Sequence, residues 1–173
     1  MPQKKFPITR NNMFFSQEDF NYEISLGMDY IQQDINQNII LYEVDLAATN
    51  TNSIYKEAGK DEIRFKVPKE VPCIYEIDDS VLKTYNNTNS TGVYAISGNL
   101  TIGIYEQTLR DLKCDIKRGD YIGVVISSDR MIYFTVTNDG KMNTDNQHTY
   151  NGTVPYYRTV TCTVITEAEF KGR

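Results

Sequence analysis

The chain has 173 residues, of which 40% are hydrophobic and 24% charged, proportions that fit one globular domain and exclude a disordered or fibrous composition. Its 18 basic and 23 acidic side chains leave a formal net charge of −5, which argues against a free nucleic-acid binder because no basic field is available to neutralise phosphates. Three widely spaced cysteines without a Cys-x-x-Cys, and the single histidine His148, argue against a structural zinc site.

Residues 1–20 read as an N-terminal arm, and residues 21–173 as one domain. The arm carries Lys4, Lys5 and Arg10 with Phe6, Met13, Phe14, Phe15 and Phe20, and these five apolar positions are candidate interface residues. It has a basic start but no apolar run behind it, which gives no signal peptide, and no segment of the chain reaches membrane-spanning length. Synthesis in a cytosol and no membrane association are the expectation.

Residues 22–30 alternate Tyr22, Ile24, Leu26, Met28 and Tyr30 with polar residues, the period of a half-buried strand. A polar turn follows. Residues 39–46 then form a second predicted strand, with Ile40, Tyr42, Val44 and Leu46 inward and the first strand as hairpin partner. Residues 47–60 are small and polar and read as an exposed loop in which Tyr55 is a candidate contact. Residues 63–67 are a short predicted strand, and residues 71–77 another, in which Pro72 requires either a sheet edge or the first position of the strand. Residues 86–92 are a pure turn-forming run. Residues 93–106 are apolar-rich, and Gly98 and Gly103 point to a bend or bulge there, as when one strand serves two sheets or turns a barrel corner. Leu109, Leu112 and Cys114 suit one helical turn. Three strands close the chain, with a projecting polar loop over residues 141–153 before the last of them. Cys162 alternates with Val160 and Val164, the pattern of a small buried apolar side chain.

About eight short strands at this spacing, with little helical periodicity, predict an all-β fold: an antiparallel β-barrel or sandwich with long loops and an extended arm. No catalytic constellation accompanies it. There is no phosphate-cradling glycine loop, no nucleophile elbow and no zinc helix. Glu76, Asp78 and Asp79 are the densest acidic group, and a solvated strand end accounts for them better than a glycosidase pair. The expectation is a protein without enzymatic activity, cofactor or metal.

The run Lys117-Arg118-Gly119-Asp120-Tyr121, the strand from Met131 to Val136, the loop ending in Tyr150 and the strand from Arg158 to Val164 together resemble the neck (head-completion) proteins of tailed bacteriophages. The likeness covers about a third of the chain in its convincing part. Tyr150-Asn151-Gly152 is a looser version of the family's loop motif, and the Asn/Thr run at 86–91 replaces the family's aromatic-rich middle. The resemblance implies a structural virion protein of the head-tail connector, synthesised in the bacterial host cytoplasm. It implies a homo-oligomeric ring, hexameric or dodecameric, below the portal, with portal or adaptor ring and tail proteins as partners. Genomic DNA would pass through the channel without sequence-specific binding. Tyr150 and Tyr156 join the arm aromatics and Tyr55 as candidate contacts. The abundance of tyrosine, 13 residues, keeps a second reading in view, a carbohydrate-binding β-sandwich module of a phage fibre or adhesin using Tyr150 and Tyr157.

Overall fold

The computed structural model describes residues 17–49, 63–78, 98–128, 130–142, 149–150, 154–165 and 170. Most of the predicted arm, the predicted loop over residues 86–92 and His148 lie outside them. The all-β class holds. Seven strands form one antiparallel sheet: β1 (Asn38–Tyr42), β2 (Lys69–Pro72), β3 (Ile74–Asp78), β4 (Asn99–Tyr105), β5 (Tyr121–Ser127), β6 (Arg130–Asn138) and, last in the chain, β9 (Tyr157–Ile165). Between β6 and β9, β7 (Thr149–Tyr150), within the predicted projecting loop, and β8 (Val154–Pro155), just after it, make a small separate ladder.

The order across the large sheet is β2-β1-β5-β6-β9-β4-β3. Its two margins, β2 and β3, are consecutive in sequence and separated by Cys73 alone. One residue between them holds the facing Cα atoms of Pro72 and Ile74 within about 7 Å. The sheet therefore curls until its margins meet in one bent run. The first half of that run bonds β1 and the second half bonds β4. The hydrogen-bond ladder stays open there, because β2 and β3 follow one another instead of pairing. Pro72 sits at this margin, where its missing N–H costs no ladder bond, as the edge reading of residues 71–77 requires. The bend expected at Gly98 and Gly103 is at Cys73 instead, and β4 keeps an uninterrupted register with both neighbours.

Inside the curl lie Ile39, Leu41, Val71, Cys73, Leu100, Ile102, Ile104, Ile122, Val124, Phe134, Val136, Val160 and Cys162, all nearly or fully buried. Burying each of these larger aliphatic side chains contributes roughly 1.5–3 kcal/mol. The interior phase of β1 is the opposite of the expected one: Ile39 and Leu41 point in, Ile40 is half-buried, and Leu46 is 77% exposed. Register decides this, because Ile39 pairs with the buried Val71 and a slip of one residue exchanges the faces. Residues 63–67 form no strand and contribute one bridge, Phe65 to Val44.

The largest correction is at residues 22–30. They belong to a helix, α1 (Gln17–Asp29), which runs into a π-helical turn over Tyr30–Ile35 and stops at Asn36 in the left-handed region (φ 50°). No hairpin joins them to β1, whose neighbours are β2 and β5. The buried set is Phe20, Ile24 and Ile31, a helical spacing that continues past both ends of the alternating run. A short second helix, α2 (Glu106–Asp111), follows β4 and buries Leu109, in accord with the predicted helical turn.

Candidate functional site

Five of the candidate contact residues, Phe6, Met13, Phe14, Phe15 and Tyr55, lie outside the described residues, and Tyr150 lies in β7. The structure brings two of the others together. Phe20 is 3% exposed and meets Tyr156 edge-on, with ring centroids 5.2 Å apart at 82°. This contact clamps the first turns of α1 to the segment between β8 and β9. Further along the helix, the Tyr105 phenol lies over Gly27 in the space a Cβ would fill, and Tyr157 does the same over Gly103. The rings of Tyr105 and Tyr157 pack at 5.0 Å. A hollow of about 270 Å³ remains between the helix and the barrel, bordered by Ile24, Ile74, Tyr105, Tyr156 and Tyr157. Burial raises the Tyr105 phenol, with the Glu23 carboxylate adding to it; burial, then Tyr105 and Cys73, raises Tyr157. Both phenols stay protonated at neutral pH.

The outer face of α1 is different in kind. Tyr22, Leu26 and Tyr30 recur at every fourth position and are 68%, 57% and 54% exposed. Side chains at that spacing stack along one side of a helix. Beside them is an open hollow of about 470 Å³ bordered by Leu26, Tyr30 and Tyr105 and by the carboxylates of Glu23, Asp29 and Asp34. Among the described residues, no cation forms an ion pair with these three acids.

The polar groups that sequence reading missed are structural. Arg158 follows the inward phase of β9 with Val160 and Cys162, and its side chain is 1% exposed. The guanidinium Nη2 donates to Asp115 Oδ1 at 2.9 Å, and Nη1 lies 3.4 Å from the carbonyls of Ile116 and Asp139. Nε is 2.9 Å from Glu106 Oε2 as an ion pair, without the alignment of a hydrogen bond. Lys141 Nζ adds a second contact to Asp115, at 2.6 Å. Burial pushes the Asp115 carboxyl up, but the hydrogen bonds from Lys141 and Arg158 outweigh it and leave the group below its ordinary range. An Arg in phase with two buried apolar residues was the available signal.

Asp120, in the Gly-Asp of the family-like run, is 4% exposed. Its Oδ1 accepts the Val44 N–H at 2.9 Å and its Oδ2 the Lys117 N–H at 2.8 Å. Gly119 supplies the positive φ of 92° that the turn needs. Burial raises the Asp120 carboxyl against the pull of these two amides. On the outer surface, Phe170 stacks on Tyr133 at 3.9 Å and 13°, lies 5.7 Å from Phe65, and meets Tyr42 edge-on at 5.0 Å.

Among the described residues, reactive groups are not gathered. Burial pushes the Cys73 and Cys162 thiols up to about 12, a range in which the nucleophilic thiolate is scarce. Glu76 and Asp78 are exposed on β3. Among the described residues no three His, Cys, Asp or Glu side chains come close enough to hold a metal ion, and no helix is long and apolar enough to cross a membrane. The geometry is that of a braced barrel with one clamped helix whose outer face is apolar and acidic. Comparison with protein-family models, with curated proteins and with solved structures finds no match to this chain.

Proposed function

We propose that this chain is a structural virion protein of the head-tail connector of a tailed bacteriophage. It is one protomer of a hexameric or dodecameric ring below the portal that joins capsid to tail around the DNA channel. The observation that carries the reading is the apolar outer face of α1: three large side chains more than half exposed, on a helix that is itself clamped to a stiff barrel. Contiguous exposed apolar surface of this kind marks a surface that another chain covers. The resemblance adds support, since the strands that carry it, β5, β6 and β9, are adjacent in the sheet and form the centre of the barrel wall. The acidic balance suits a channel that DNA passes without sticking. The portal or adaptor ring and the tail proteins are the partners this role calls for.

The carbohydrate-binding reading loses one of its two platform residues, because the Tyr157 ring is packed over Gly103 and against Tyr105. Negative-stain microscopy and native mass spectrometry of the purified chain, alone and mixed with a portal ring, test the proposal. A discrete ring in either condition is the expected result. A monomer in both, or irregular and sub-stoichiometric amounts in purified particles, would overturn it.

A further inference from the structure

The apolar and acidic character of the α1 outer face defines what can cover it. The occupant must bring apolar side chains for Tyr22, Leu26 and Tyr30, and cationic groups for Glu23, Asp29 and Asp34. Residues 1–16 of this chain contain Lys4, Lys5 and Arg10, large apolar side chains that include Phe6, Ile8, Met13, Phe14 and Phe15, and no acidic residue. We propose that the outer face of α1 receives the N-terminal arm of a second copy of the chain. The proposal deepens the ring reading above and rests on it for the neighbouring copy.

Reach separates exchange between copies from folding back within one chain for the Met13–Phe15 cluster, though not for Phe6 and the cations farther along the arm. Residues 17–20 of the predicted arm are already helix, so the arm proper is residues 1–16 and joins α1 at Gln17. Tyr30 lies one position beyond the last residue of α1, roughly 20 Å along the helix axis from its start. Phe14 stands three residues before Gln17, a tether of about 10 Å when fully extended. Its own chain therefore cannot bring Phe14 to the hollow at Tyr30, Gln33 and Asp34. A second copy can lay the whole arm along the stripe, with the Met13–Phe15 cluster against Leu26 and Tyr30 and the cations beside the acids. Charge matching then fixes the register of one protomer on the next, while the aromatic side chains supply most of the buried area.

The test places a photoreactive benzoyl-phenylalanine at position 14 of the full chain and mixes equal amounts of 14N- and 15N-labelled protein before irradiation. Expected are mixed-isotope crosslinks from position 14 to residues 26–34. The triple variant Lys4→Glu, Lys5→Glu, Arg10→Glu should lower their yield about tenfold, the loss of a few exposed charge pairs. Mixing that arm variant with Glu23→Lys, Asp29→Lys, Asp34→Lys, all at exposed positions, should restore the yield. Crosslinks confined to a single isotope, no crosslink to residues 26–34, or a yield indifferent to both charge reversals would overturn the proposal. A discrete ring formed without the crosslink sinks this inference alone, whereas the crosslink in a protein missing from phage particles sinks the connector reading and leaves this one standing.

Discussion

Gln37 and Tyr75 meet across the barrel seam: the side-chain Oε1 of Gln37 accepts the Tyr75 amide at 3.2 Å, while its main-chain oxygen accepts the Cys73 amide at 2.9 Å. One residue ahead of β1 thus bonds both Cys73, at the bend, and the start of β3. Gln37→Ala leaves the Tyr75 N–H without its acceptor and should destabilise the fold by about 1 kcal/mol. Amide hydrogen exchange would check the placement of the effect. Tyr75 should lose more protection than the β5 and β6 amides, and uniform loss over the sheet would count against a seam held at this point.

Among the described residues Arg158 is the one buried guanidinium, and it faces two carboxylates. Arg158→Met removes the buried charge and leaves Asp115 with Lys141 alone and Glu106 with only the looser Arg110 contact at 3.8 Å. The expected loss is about 3 kcal/mol, at the low end for a broken buried pair because both acids keep some contact with water. Adding Glu106→Gln and Asp115→Asn to the same chain should recover most of it in urea unfolding, since the cost is that of uncompensated charge. A triple variant no more stable than the single one would show instead that Arg158 acts through packing.

Among the described residues, two displaced carboxyls pull acid stability in opposite directions. Asp115 is lowered in the folded state, so its contribution is fully present above its ordinary pKa of 3.8 and is lost as pH falls through the lower folded value. Asp120 is raised, so the folded chain holds that proton more tightly, and its contribution declines as pH rises from 3.8 through the folded value. The stability advantage of wild type over Asp115→Asn should shrink as pH drops below 3.8, while the advantage over Asp120→Asn should grow as pH approaches 3.8 from above. Urea midpoints measured across that range give both slopes, and equal slopes for the two variants would contradict the assignment.

How far the sequence carried depended on which neighbour set each pattern. The strands at β5, β6 and β9 were legible because β-branched and aromatic runs bounded by Gly119-Asp120 and Asp139-Gly140 admit little else. The edge position of Pro72 was legible for the same local reason. The helix was not, because Tyr22, Ile24, Leu26, Met28 and Tyr30 alternate as a strand would, and the deciding residues Phe20 and Ile31 lie outside that window. The interior phase of β1 was hidden as well: Ile39, Ile40 and Leu41 are equally apolar, and only pairing with Val71 selects between them. Of the candidate contacts, Phe20 and Tyr156 were found by residue type but serve to clamp α1 to the barrel. The exposed stripe on α1 could not be seen while its residues were assigned to a core-facing strand.

The three cysteines should separate by environment. Cys73 and Cys162 are fully buried with thiols near 12, whereas Cys114 is half-buried, with its thiol raised first by burial and pulled back by the Lys69 and Arg158 cations. At pH 8 a thiol-alkylating reagent should modify Cys114 first, and modify the other two only at the rate of unfolding. Mass spectrometry of timed aliquots checks this order. Labelling of Cys73 ahead of Cys114 in the absence of denaturant would mean that the seam opens locally.

Gly27 gives the sharpest test of how α1 is held. In an unencumbered helix, Gly→Ala stabilises by about 1 kcal/mol through propensity. Here the Tyr105 phenol occupies the place of the new Cβ, and Tyr157 backs the Tyr105 ring at 5.0 Å. Overpacking of such a site costs typically about 1–3 kcal/mol, so steric conflict should outweigh propensity and Gly27→Ala should destabilise. In a Tyr105→Ala background the obstruction is gone, and the same substitution should then stabilise. The sign change between the two backgrounds, read by urea unfolding in a double-mutant cycle, reports the contact itself and not the residues singly. If Gly27→Ala stabilises both chains by the same amount, the helix does not rest on Tyr105.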